Sequence, residues 1–131
     1  MSSLTRFEEI RAWQEARKLV RTVYGMTREG AFARDFGLRD QIQRAAVSVM
    51  TNIAEGFGAR SNPSFQQFLT YARRSALEVQ SLLYVAIDVG YISEEQFRKT
   101  IRHNLRLLHL INFCDNLVCL GHDSTKETTQ P

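Results

Sequence analysis

Four stretches of this chain repeat apolar residues at three- and four-residue intervals, and almost nothing interrupts them. Only two prolines are present, Pro63 and the last residue Pro131, with seven glycines mostly between the stripes. Such spacing places one face of a helix against a core, and so little turn chemistry argues against an all-β fold.

The first stripe is Ile10, Trp13, Ala16, Val20, Val23 and Tyr24, with Gly30 as its stop. After the connector "GAFARDFG", a second runs from Leu38 through Ile42, Ala45, Ala46, Val49 and Ile53 to Phe57. Gly56 and Gly58 are expected to end it in backbone conformations that suit glycine. The third begins with Asn62 as N-cap and Pro63 at the first helical position, where its missing amide costs nothing. Phe65, Phe68, Leu69, Ala72, Ala76, Val79, Leu83 and Ala86 follow, and Gly90 closes the segment. Ser93 and Gln96 form a capping box for the fourth, with Glu94 and Glu95 at its positive end. That helix carries Phe97, Ile101, Leu105, Leu108 and Ile111 to about Leu120, before Gly121.

Helices of this size are about 30–40 Å long, and short connections make neighbours antiparallel. The expectation is one all-α domain over residues 1–131, an up-down-up-down four-helix bundle. Structure is expected over about 7–120, with 121–131 a polar, disordered tail. No run of about 18 apolar residues offers a membrane span, and "MSSLTRFEEIRAW" has no secretory signature.

Two helices carry more apolar surface than one bundle needs. The fourth adds Leu107, Leu110, Phe113, Cys114, Leu117, Val118, Cys119 and Leu120, and the third adds Leu77, Leu82, Tyr84, Val85 and Ile87. A helix apolar all round is normally buried all round, so self-association is expected. The plain alternative is a broad core with scattered surface leucines. Cys114 and Cys119, five apart on one helix, face apart, so they read as small buried hydrophobes in a reducing cytoplasm.

Catalytic and metal chemistry find little support. Di-iron bundles need Glu-x-x-His pairs, and no glutamate here has a histidine three residues later. His103, His109 and His122 lack zinc-ligand spacing. "GFG" at 56–58 follows a helix and completes no phosphate loop. We therefore expect no enzyme activity, no metal and no cofactor.

Gln41, Arg44, Ser48, Asn52 and Glu55 form a polar stripe on the second helix. Glu55 lies in the last turn, where the macrodipole disfavours an anion by about 0.3–1 kcal/mol. It is expected to clasp the next helix's start, with Arg60 as a second partner. With the reversal near residue 60, positions summing to about 120 face each other, which predicts an Arg44–Glu78 bridge. These five residues, Arg44, Asn52, Glu55, Arg60 and Glu78, form the expected structural network.

The chain carries a net +3 with a pI near 9.1. Arg98, Arg102 and Arg106 recur every fourth residue, with His109 near the same line and Lys99 and His103 on the adjoining face, and no acid intervenes between Gln96 and Cys114. Arg17, Lys18 and Arg21 form a second patch. Both are candidate nucleic-acid contacts through phosphates; a solvated arginine face is the plain alternative. No aromatic residues interleave to stack bases.

"WQEARKLVRTVY", "DFGLRDQIQRAAVSVMTNIAEGFGARS", "FQQFLTYARRSALEVQSLLYVA" and "GYIS" resemble, in that order, a bacterial four-helix bundle family encoded within intervening sequences of 23S ribosomal RNA genes. The resemblance spans about residues 7–120. It implies a cytoplasmic homopentameric ring with no established enzymatic activity. A related branch, the accessory proteins of diversity-generating retroelements, is more basic and binds nucleic acid. The expected partners are thus further copies of the chain and RNA, with a protein-binding adaptor that touches no nucleic acid as the alternative.

Overall fold

The computed structural model describes residues 4–128, with side chains through Leu120. Among these residues there is no strand. A 3-10 turn, Phe7–Glu9, precedes α1 (Arg11–Thr27); then come α2 (Gly30–Arg34), α3 (Phe36–Phe57), α4 (Asn62–Asp88) and α5 (Glu94–Thr128). The four long helices stand in a square: α1 packs on α3 and α5, and α4 packs on α3 and α5. No helix in the described residues is long and apolar enough to cross a membrane.

Cross-links fix the antiparallel registers. Gln43 Nε2 donates to Thr27 Oγ at 2.8 Å, Ser75 Oγ to Ser48 Oγ at 2.8 Å, and Asn104 Nδ2 to the Ala76 carbonyl at 2.9 Å. The core between them holds Leu19, Val23, Ile42, Val49, Ile53, Leu69, Val79, Leu83, Leu107 and Ile111, all essentially inaccessible to solvent. Each such side chain contributes about 1.5–3 kcal/mol relative to exposure.

Several boundaries depart from the sequence expectation. In α1 the inward position belongs to Leu19, and Tyr24 is exposed. Gly30 (φ 62°) is more than a stop: it turns the chain into α2, which buries Phe32. Asp35 caps α3, its Oδ1 accepting from the Leu38 amide at 3.1 Å. Its Oδ2 accepts from the Tyr91 hydroxyl at 2.8 Å, and the Tyr91 ring stacks on Phe32 with centroids 5.2 Å apart. One carboxylate thereby ties the α2–α3 corner to the α4–α5 turn, and that hydrogen bond raises the Tyr91 pKa.

The N-cap of α4 is Ser61 rather than Asn62, accepting from the Ser64 amide at 3.2 Å. Gly90 does close α4, with φ 80°; the Tyr91 amide reaches the Ala86 carbonyl and the Gly90 amide that of Ile87, a paired C-terminal cap. Gly56 and Gly58, by contrast, do not have positive φ. A Cβ on Gly56 would stand 2.8 Å from Phe65 Cδ1 and 2.9 Å from Phe68 Cβ. Close approach of α4, not backbone freedom, requires that glycine.

The capping box at Ser93 and Gln96 forms in both directions, at 2.9 and 3.1 Å. Inside α5 the core face runs one step off the expected stripe. Thr100, Asn104, Leu107 and Ile111 point inward, while Leu105 is half exposed. Thr100 Oγ donates to the Gln96 carbonyl and Asn104 Nδ2 to that of Ala76, which meets the donors of these interior polar residues, while Asn104 Oδ1 is buried without a hydrogen-bond partner among the described residues. The helix runs past Gly121 to Thr128, since an interior glycine costs only about 1 kcal/mol. Residues 129–131 of the expected tail lie outside the described residues.

Candidate nucleic-acid interface

The two basic patches that are far apart in sequence meet along the α1–α5 seam. His103 Nε2 faces the Glu15 backbone oxygen at 2.9 Å, which sets the register. An imidazole nitrogen facing a carbonyl must carry the hydrogen, so Nε2 donates. Around this contact Lys18 and Thr22 of α1 and Lys99, Arg102, His103 and Arg106 of α5 line a cleft of about 440 Å³. A second hollow of about 330 Å³ shares Lys18 and continues along α1 past Arg17 and Arg21 to Trp13 and Glu8.

Charge in this region is largely uncompensated. Lys18 pairs with Glu15 at 2.8 Å, and Lys99 with Glu95 at 3.2 Å on the exposed face. Arg17, Arg21, Arg98, Arg102 and Arg106 form no ion pair among the described residues. Arg17 lies over the Trp13 ring, 5.9 Å from its centroid. Glu15 is the carboxylate deepest in the seam, and its pKa is lowered first by the hydrogen bond from Lys18, then by the charges of Lys18, His103 and Arg106, against an opposing effect of burial. Its Oε1 is 3.7 Å from His103 Nδ1.

The structure thus divides the predicted stripe. Arg102, Arg106 and Lys99 join Lys18 in the cleft, with Arg17 and Arg21 in the adjoining hollow. Arg98 is exposed and lines neither. Sequence reasoning placed His103 beside Lys99 on the basic face of α5 but missed Glu15, Thr22 and Thr100 as parts of this region. A helical wheel of α1 set against α5 would have put Glu15 beside His103 only once the α1–α5 register was known.

The expected structural network is rearranged. Glu78 accepts from Gln41 Nε2 at 3.3 Å rather than from Arg44. Arg44 is exposed, and the step from Gln41 and Ser48 to Glu78 and Ser75 shows why: the register is as expected, but Gln41 lies nearer Glu78. Asn52 Nδ2 donates to the Ser48 carbonyl and hydroxyl at 2.8 and 2.9 Å, extending a polar ladder to Ser75. Glu55 and Arg60 are exposed, and Glu55 makes no hydrogen bond or ion pair among the described residues. The corner is instead closed by Ser61 and by Phe57 against Phe65, edge to face at 6.4 Å.

The apolar surplus resolves into two groups. Leu107, Ile111 and Leu82 belong to the bundle's own core. Leu77, Tyr84, Val85, Leu105, Phe113 and Leu117 are each 43–59% exposed. Cys114 is half buried, its thiol pushed up to about 11 by burial and then by the Asp115 charge. Cys119 is exposed, not buried as expected. Among the described residues no three of His, Cys, Asp and Glu converge on a metal-sized site.

An all-α bundle with one cationic seam and an apolar outer surface on α4 and α5 is the class these features define. The chain belongs to the 23S rRNA-intervening sequence protein family, which it matches over residues 8–113. Among solved structures it is similar to a protein of unknown function from the S23 ribosomal protein family of Bacteroides thetaiotaomicron. That likeness has a TM-score of 0.73 at 21% identity, covering 79% of this chain and 97% of the other, and it bears on fold alone. No curated protein matches the sequence.

Proposed function

We propose that this protein is a non-enzymatic, self-assembling bundle that holds RNA by its phosphates. The observation that supports it is the α1–α5 seam, where Lys18, Arg102 and Arg106 converge and where Arg17, Arg21, Arg102 and Arg106 have no carboxylate partner among the described residues. A protein surface that keeps so many cations unpaired attracts a polyanion by counterion release. The family's name links its members to the intervening sequences of 23S rRNA, which makes RNA the polyanion to test. Assembly would use the exposed apolar side chains of α4 and α5, and a five-membered ring of +3 subunits would carry about +15 in all.

Titration of labelled RNA, single-stranded and structured, at about 50 and 200 mM salt tests this reading. The expected result is affinity that falls at least about tenfold with salt and is lost when Arg98, Arg102 and Arg106 are replaced by alanine. Binding that ignores both changes would overturn it. A second reading, a protein-binding adaptor, draws on the same half-exposed Leu77, Tyr84 and Leu105; it predicts a folded oligomer or complex with no RNA affinity at either salt.

A further inference from the structure

The cations of the seam come from two walls and converge on one line. α1 contributes Lys18, and α5 contributes Lys99, Arg102 and Arg106. Cations four residues apart on a helix are separated by about 6 Å along its axis. Packed helices are in contact and nothing enters between them; the cleft on their surface holds about 440 Å³, room for a few phosphodiester units but not for the width of a duplex. A single phosphate chain fits.

The remaining groups narrow the ligand further. No Phe, Tyr or Trp ring lines this cleft, and the one imidazole, His103, is only 18% exposed with Nε2 held by the Glu15 carbonyl, so bases would find no stacking platform there. The Thr22 and Thr100 hydroxyls already donate to the Lys18 and Gln96 carbonyls, which leaves the cations as donors. Glu15, only 13% exposed, sits beside Lys18 and His103 and opposes an incoming anion. An assembly through the apolar surplus would leave the α1 wall of the cleft uncovered. The outward face of α1 is polar, with Tyr24 its one exposed large apolar residue, whereas the apolar surplus lies on α4 and α5.

We propose that the α1–α5 cleft seats the backbone of single-stranded RNA, phosphates inward and bases outward, with Glu15 limiting its affinity. This rests on the RNA-binding reading above and assigns that reading a site and a strand class. Four cations facing one strand give a slope of log K against log salt of about −3. The seat ignores base identity, because the bases point outward and the cations meet phosphates alone.

The test uses the full chain with three probes: a labelled 15-nucleotide oligouridine, a 15-base-pair RNA duplex, and inorganic polyphosphate as a competitor without bases. Oligouridine is expected to bind at least about fivefold tighter than the duplex, and polyphosphate to displace it. Arg106→Ala should weaken oligouridine binding about tenfold and reduce the salt slope by about 0.7, Arg98→Ala should change it less than about twofold, and Glu15→Gln should strengthen it about threefold. Equal or tighter duplex binding, or equal losses from Arg98→Ala and Arg106→Ala, overturns the cleft while leaving RNA binding intact. Oligouridine that polyphosphate cannot displace shows that bases are read, and overturns the phosphate-only seat. Failure of every RNA probe at low salt overturns the RNA-binding reading and the seat together.

Discussion

The α3–α4 pair and the α1–α5 pair are both antiparallel helix seams in one bundle, yet they are built in opposite ways. Across α3–α4 small residues recur: Ala45 and Ala46 of α3 and Ala72 and Ala76 of α4 are buried, Ser48 bonds Ser75, and Gly56 lies against Phe65 and Phe68. Small residues let the backbones close, so nothing is left for a ligand. Across α1–α5 the contact passes through His103 and Glu15, and long basic side chains line a cleft beside them. Long charged side chains keep their heads in water, which holds that seam open. Side-chain size thus separates the seam that sets the fold from the seam that can meet a partner.

The largest expected effect breaks the closed seam. Gly56→Ala should destabilise the protein by about 1–3 kcal/mol, because the new methyl meets Phe68 Cβ, which moves only with the α4 backbone. The same change on the outer side of the other pair should have the opposite sign. Gly25 lies inside α1 with nothing within 4 Å of a built Cβ, so Gly25→Ala should stabilise by about 0.5–1 kcal/mol. Urea midpoints of both variants check the pair. Two shifts of one sign would show that helix propensity, and not the approach of α4, governs these positions.

Smaller effects sharpen the open seam. At its apolar end Cys114 is half buried with a thiol pushed up to about 11, while Cys119 is exposed. Iodoacetamide should alkylate Cys119 at least about tenfold faster than Cys114, read by peptide mass mapping. Equal rates would mean that the end of α5 is not packed as described. The smallest effect concerns acid. Glu15 has a lowered folded pKa, so its contribution is present above the ordinary carboxylate range and disappears as pH falls through the folded value. Stability lost between pH 6 and 3 should be slightly less in Glu15→Gln than in the parent. An unchanged acid profile would remove the Lys18–Glu15 contact as a source of stability.

Much of this architecture was legible because one physical signal, helical spacing of apolar residues, dominates each helix. The capping box at Ser93 and Gln96 and the α3–α4 register near a sum of 120 were read from local chemistry alone. Gln41 with Glu78 and Ser48 with Ser75 keep that register. The misses share a cause: they depend on neighbours distant in sequence. Asn104 looks like a surface residue until the Ala76 carbonyl is placed beside it. Gly56 looks like a helix terminator until Phe65 and Phe68 arrive. Arg44 and Gln41 compete for Glu78, and only the settled packing chooses between them. The basic residues of the candidate site were all visible, but their meeting across α1 and α5 was not. That convergence required the tertiary register, and it separated Arg102 and Arg106 from Arg98.

The proposed division between an RNA-binding seam and an assembling outer surface depends on the exposed apolar residues of α4 and α5 meeting further copies of the chain. Light-scattering mass of the purified protein in solution tests this most directly. For a 15.1 kDa chain, the predicted result is one species about five times heavier, consistent with closed cyclic symmetry. A single species at the mass of one chain, stable across concentration, would contradict it.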